Sequence, residues 1–199
     1  YGINRFHISS KKFQPFYLGY KNKETFREHS FLAARNSTGL ILAASYKSGI
    51  YKFNPTTEKL EIFQLPGINK YNITQLFFDS SDYLWIINDK NEIFRLKIES
   101  DIVTETRQIV PPANFIHLCY DKKEKIWLQY ENYRLGYYSI QTEKFSDWNT
   151  KVYGELNEVS ETETNILFAT NIGLVQYDKQ KKTESTQLNG IPVLSIYSG

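Results

Sequence analysis

The sequence predicts an all-β protein of the β-propeller class, and three observations predict it. Aromatic residues make up 16% of the chain, with 15 Tyr and 13 Phe, and its apolar runs are short and rich in β-branched side chains. That composition suits pleated sheet better than helix, and no helical 3.6-residue periodicity of any length is present. The second observation is a repeat. Asp79-Ser80-Ser81-Asp82-Tyr83-Leu84-Trp85 is answered by Asp121-Lys122-Lys123-Glu124-Lys125-Ile126-Trp127, and the two Asp and the two Trp are both 42 residues apart. The third is another twin: the stretch from Gly2-Ile3-Asn4-Arg5-Phe6 to Phe13 returns 47 residues later as Gly49-Ile50-Tyr51-Lys52-Phe53 to Leu60. A period of about 40–45 residues with four strands in each copy is the propeller signature.

Each unit reads as four strands and three turns. In the copy that holds Trp85, Ile73–Phe78 is the inner strand, Asp79–Asp82 the turn and Tyr83–Ile87 the second strand. Asn88–Asn91 is the next turn, and Ile93–Leu96 reads as a third strand with one exposed face, because its apolar and charged residues are mixed. The chain opens at residues 1–24 in the second half of a blade. Blades follow at 25–65, 66–109, 110–148 and 149–187, and 188–199 begins another. In the first, His29–Ala34 is the inner strand, turned by Asn36-Ser37-Thr38-Gly39. Small residues there suit the crowded hub of a propeller. In the fourth, Leu156–Val159 is a weak inner strand and Leu167 stands where Trp127 stands in the third. Ile191–Tyr197 reads as a fifth inner strand. The array therefore reads as part of a larger propeller.

Composition excludes several classes. A net charge of +2 and a pI near 8.4 are too mild for a nucleic-acid partner or an anionic membrane surface. No run approaches the ~18 apolar residues of a membrane helix. The single cysteine, Cys119, cannot form an internal disulfide and reads as a small buried hydrophobe. His7, His29 and His117 are scattered without metal-ligand spacing, and no phosphate-binding or nucleophile-elbow motif occurs. No cofactor or metal is expected. Asp79 and Asp121 resemble a catalytic carboxylate pair, but they stand at equivalent turns, where an Asp accepts backbone N–H groups. Trp85 and Trp127 recur inside apolar strands and read as core.

The unit with Asp79/Leu84-Trp85-Ile86, Asp121/Ile126-Trp127-Leu128, Gly49-Ile50-Tyr51-Lys52-Phe53-Asn54 and Gly173-Leu174-Val175-Gln176-Tyr177-Asp178 resembles the two-component regulator propeller repeat. The resemblance covers nearly the whole chain. The turn glycine of that repeat is Asp82 in one copy and Glu124 in another, and its Trp is Leu42 in the first blade. The resemblance implies the periplasmic sensor region of a hybrid two-component system. Such a region joins further blades and signalling domains of its own chain, detects oligosaccharides, and controls transcription through phosphotransfer. No catalysis, membrane insertion or nucleic-acid binding is expected of this segment, and a homodimer is possible through open blade edges. The alternatives are a propeller glycosidase or lyase and a protein-interaction scaffold, since a fold does not decide function.

Binding is expected at the turns between second and third strands and at the connections between blades, where aromatic faces stand beside amides and carboxylates. The candidates are Tyr46, Asp89, Asn91, Tyr130, Glu131, Tyr133 and Asn171. Trp148 lies outside the repeated core pattern and is the candidate surface platform.

Overall fold

The computed structural model describes residues 3–16, 31–45, 49–66, 68 and 72–196. The fold is all-β and of the propeller class, with no helix among the described residues. The chain divides into two compact units, Tyr1–Val110 and Pro111–Gly199. His29 and Ser30 of the expected first inner strand lie outside the described residues.

Unit 1 holds the hairpin β1 (Ile3–His7)–β2 (Lys12–Phe16) and two four-stranded antiparallel blades. The first is β3 (Phe31–Arg35), β4 (Ile41–Ser45), β5 (Gly49–Asn54) and β6 (Lys59–Ile62). The second is β7 (Ile73–Phe78), β8 (Leu84–Asn88), β9 (Ile93–Glu99) and β10 (Ile102–Ile109). Inner strands β3 and β7 are neighbours. The core between the blades is built from Leu42, Ala44, Ile50, Leu76, Ile86 and Leu96 with their neighbours. Ser37 of the β3–β4 turn donates its N–H (2.8 Å) and its hydroxyl to the Asp82 carboxylate in the β7–β8 turn, tying one blade to the next.

Unit 2 repeats the plan. Its blades are β11 (Phe115–Tyr120), β12 (Lys125–Tyr130), β13 (Arg134–Ser139) and β14 (Lys144–Lys151), then β15 (Leu156–Glu161), β16 (Asn165–Thr170), β17 (Gly173–Asp178) and β18 (Thr183–Gln187). Trp127 meets Tyr137, Trp148 and Phe168 at ring distances of 5.2, 5.4 and 5.3 Å, and Trp148 meets Tyr177 at 5.1 Å. This aromatic stack is the packing between the two blades. Beside it, Glu161 accepts from Lys125 at 2.6 Å and Lys179 at 2.7 Å. Burial alone would raise the Glu161 carboxyl, but the two lysine hydrogen bonds hold it below its ordinary value. Lys179, which follows β17, thus ties that end of the strand to the β15–β16 hairpin.

The hairpins between third and fourth strands share one geometry. Four residues link β1 to β2, β5 to β6, β13 to β14 and β17 to β18. The last of the four is left-handed each time: Lys11, Glu58, Glu143 and Lys182. The β9–β10 hairpin instead closes on two left-handed residues, Ser100 and Asp101, a turn whose twist matches that of the strands.

One expectation is corrected. The third strand of the Trp85 copy has no exposed face at Arg95, which is 8% exposed. Its guanidinium lies 3.9 Å from the centre of the Tyr83 ring, with Nε 3.5 Å from Asp79, so ring faces and a carboxylate replace water around the charge. The described part of the expected fifth inner strand, up to Ile196, runs against the fourth blade. The Val193 N–H donates to Thr170 O, Asn157 Nδ2 donates to Val193 O and the Ile196 N–H donates to Glu158 Oε2, each at 2.9 Å.

Asp79 is 4% exposed and bonded on both oxygens. Oδ1 accepts the N–H groups of Ser81 and Tyr83 at 2.9 and 3.0 Å, and Oδ2 accepts the Trp85 indole N–H at 2.8 Å. In Asp121, Oδ1 accepts three backbone N–H groups, from Lys123, Glu124 and Lys125, while Oδ2 and the Trp127 indole nitrogen make no hydrogen bond. Asp79→Ala would remove a buried carboxylate that faces the Arg95 cation and accepts the Trp85 indole N–H, so it should cost about 3–5 kcal/mol. Asp121→Ala should cost about 1–3 kcal/mol, and chemical denaturation of both variants checks the order. Because the folded Glu161 carboxyl titrates below its unfolded value, its contribution is present above that value and is lost as pH falls through the folded one. Stability should therefore drop on the acid side of about 4.5, and Glu161→Gln should flatten that part of the profile.

Candidate functional site

Three kinds of segment meet at one end of unit 2: the turns between second and third strands, the 152–155 connection, and the segment just before β11. Backbone and side-chain bonds join the first two. The Val152 N–H donates to Tyr133 O at 3.0 Å, the Asn171 N–H to Glu155 O at 3.2 Å and the Glu155 N–H to Asn171 Oδ1 at 2.9 Å. Gln129, fully buried, pins the connection from below: Nε2 donates to Val152 O at 2.6 Å and Gly154 O at 2.9 Å, and Oε1 accepts the Leu156 N–H at 3.1 Å. Gly154 has φ +82°, and a side chain there would strike Asn171 Oδ1 at 2.6 Å. A bare backbone is what lets this connection lie against the neighbouring turn.

An open cleft of about 470 Å³ lies at this end, with Asn114, Tyr130, Glu131, Asn132, Arg134 and Asp147 on its walls. Among the described residues, Glu131, Arg134 and Asp147 form no ion pair. Burial pushes the Tyr130 phenol above its ordinary value, the Asp147 carboxylate adds to this, and the Arg134 guanidinium pulls the other way. Tyr130 is therefore a neutral donor at physiological pH, with charges of both signs close by. Its ring lies over Gly136, where a Cβ would meet the phenol oxygen at 2.7 Å and a ring carbon at 3.0 Å. A strand glycine often marks such a close approach. Beside the cleft, Tyr133 and Tyr153 pair at 5.5 Å between ring centres and are 41% and 59% exposed. Three charges, two amides and a phenol next to an aromatic face can hold a polar ligand that has one apolar side.

The structure brings together Tyr130, Glu131 and Tyr133, with Asn171 on the adjoining turn. Asp89 and Asn91 stand exposed on the β8–β9 turn of unit 1, where the Asp89 N–H donates to Asn72 O at 2.9 Å. Tyr46 lies outside the described residues. Trp148 is half-buried in the aromatic stack and lines no part of the cleft, whereas its neighbour Asp147 does. Adjacent strand residues point to opposite faces, and the site uses the one that is not aromatic. Asn114, Arg134, Asp147 and Tyr153 escaped the sequence reading. Their one visible signal was Gly136 inside a strand pattern.

Unit 1 carries a second cleft, of about 390 Å³, along its outer strands near Ile62, Ile102 and the Lys52–Asp101 pair.

No family model matches the sequence, and no curated protein does. Solved structures match in fold. The extracellular domain of a protein assigned as hybrid two-component system BT4673 from B. thetaiotaomicron aligns with 92% of this chain at 21% identity and a TM-score of 0.59. That of BT3049, so assigned in the same organism, aligns with 92% at 16% identity and 0.63. This chain spans about a quarter of either, 24% and 27%. A catalytically inactive virginiamycin B lyase from Staphylococcus aureus, solved with quinupristin, aligns with 97% of this chain and 63% of its own at 13% identity and 0.63. At these identities the likeness is one of fold.

Gly136→Ala should lower stability by about 1–3 kcal/mol through overpacking. It should also return the Tyr130 phenol toward its ordinary value of 10.0 as the ring lifts into water, which denaturation and ultraviolet titration would read.

Proposed function

We propose that this chain is a non-catalytic, ligand-binding part of an extracytoplasmic sensor in a hybrid two-component system. In this reading it lies in the periplasm, belongs to a larger propeller of about seven blades, and passes its signal to phosphotransfer domains of the same protein that control transcription. The likeness to extracellular domains of hybrid two-component systems supports that setting. The observation that carries the binding role is the cleft of Tyr130, Glu131, Asn132, Arg134 and Asp147 beside the Tyr133–Tyr153 pair. An oligosaccharide suits it, with hydroxyls for the charged and amide groups and a C–H face for the rings.

A second reading, a propeller lyase, draws on the virginiamycin B lyase likeness. It would need a general base in the cleft; no histidine lines it and its Tyr130 phenol holds its proton, so that role would fall to the Glu131 or Asp147 carboxylate.

A thermal-shift screen against neutral and acidic oligosaccharides of two to six units tests the proposal. A ligand at roughly 100 times its Kd should add about 2.7 kcal/mol, a rise of roughly 5–10 °C in Tm for a chain of this length. Binding without turnover supports the sensor. Cleavage of the bound oligosaccharide would favour the lyase, and a flat screen would count against oligosaccharide sensing.

A further inference from the structure

The third blade departs from its sister repeats at three positions that meet at one turn. Tyr130, Asn88 and Thr170 are equivalent, since each pairs with the first residue of its inner strand: Phe115, Ile73 and Leu156. In the sister blades this residue is a buried cap for the following turn. Asn88 Oδ1 accepts the N–H groups of Lys90 and Glu92, both at 3.0 Å, and the Thr170 hydroxyl donates to Gly173 O at 2.9 Å. A phenol is too long to do this. In the third blade the task passes to Asn132, whose Oδ1 accepts the Arg134 N–H at 3.1 Å.

The second departure is an exchange of size. Where Ile86 faces Phe94 and Phe168 faces Val175, Leu128 faces Gly136. The sister blades put bulk on the third strand and a short side chain at the end of the second; the third blade reverses both. The third departure is at the left-handed residue of the turn. In the second blade it is Asn91, φ +59°, a type that tolerates this backbone. In the third it is Tyr133, φ +63°, where a bulky side chain costs steric energy.

None of the three improves a turn or a strand. Together they lay one phenol on the wall of the cleft and lift a second ring into solvent beside Tyr153. Local rules broken together at one place, without local gain, mark function.

We propose that the β12–β13 turn is a ligand contact specialised at the expense of turn stability. Tyr130 and Tyr133 are its specificity-determining residues, and Gly136 positions Tyr130. The ligand class is a hydroxylated ring, with one apolar face for Tyr133 and hydroxyls for the Tyr130 phenol, Arg134 and Asp147. The ligand part of this rests on the functional reading above.

The experiment installs the second blade's residues in the full chain. Its first arm needs no ligand. Tyr133→Asn should raise Tm by roughly 2–4 °C, since an asparagine relieves the left-handed strain. Gly136→Phe alone should lower Tm, while Tyr130→Asn with Gly136→Phe should recover part of that loss, because the ring that blocks the new side chain is gone and only the 3.2 Å approach to Ser146 O remains. A fall in Tm for Tyr133→Asn overturns the inference, and so does an equal loss for Gly136→Phe with and without Tyr130→Asn. The second arm uses the same panel of two- to six-unit oligosaccharides as probe. A shift seen with the unaltered chain should vanish in Tyr130→Asn/Tyr133→Asn/Gly136→Phe, and its survival there overturns the inference. A panel that leaves the unaltered chain unshifted counts against the functional reading alone, and the first arm then decides the inference.

Discussion

The Asp79 carboxylate is the constraint from which the second blade is built. It ends the inner strand, closes the turn by taking two backbone N–H groups, and reaches back to the indole N–H of Trp85, which is fully buried on the next strand. One side chain thus sets the turn, the strand offset and the place of the largest core residue. Its remaining charge faces Arg95, covered by the rings of Tyr83 and Trp85. Burying an ion pair is seldom stabilising in itself; here the backbone bonds and ring faces surround it.

The other blades reach the same geometry by different means. In the third, Asp121 accepts three turn N–H groups, but Tyr137 stands across from Trp127 where Arg95 stands across from Trp85. Aromatic edges, from Trp148 and Phe168, then hold the indole. The fourth blade has neither residue. Its turn closes on the Thr162 hydroxyl, which accepts the Asn165 N–H at 3.0 Å, and Glu161 is bound by Lys125 and Lys179. Blade shape comes from the ladder and from burial, while the polar anchor can vary.

That tolerance explains what was legible in the sequence. The blades were readable because short apolar runs rich in aromatic and β-branched residues recur with a period near 42 residues, and Asp, Trp and turn residues mark the copies. Arg95 was misread because a charged residue in a strand usually faces water, and only contacts across strands showed the two rings and the carboxylate around it. The site was half legible. Turn composition pointed to Tyr130, Glu131 and Tyr133, but Asp147 and Arg134 reach the cleft from strands, where alternation alone does not say which face is bound. Trp148 was chosen for its chemistry, and the pleat turned it to the other side. Gly136 was visible as an anomaly whose cause, the Tyr130 ring, lies across the strand pair.

Tyrosine-selective isotope labelling followed by titration with the oligosaccharide panel tests the central claim most directly, because the 15 tyrosines report on both units at once. The account predicts that the resonances of Tyr130, Tyr133 and Tyr153 move together on binding, while those of Tyr51 and Tyr83 in unit 1 stay in place. Movement confined to the unit 1 tyrosines, with the three in unit 2 unchanged, would contradict it.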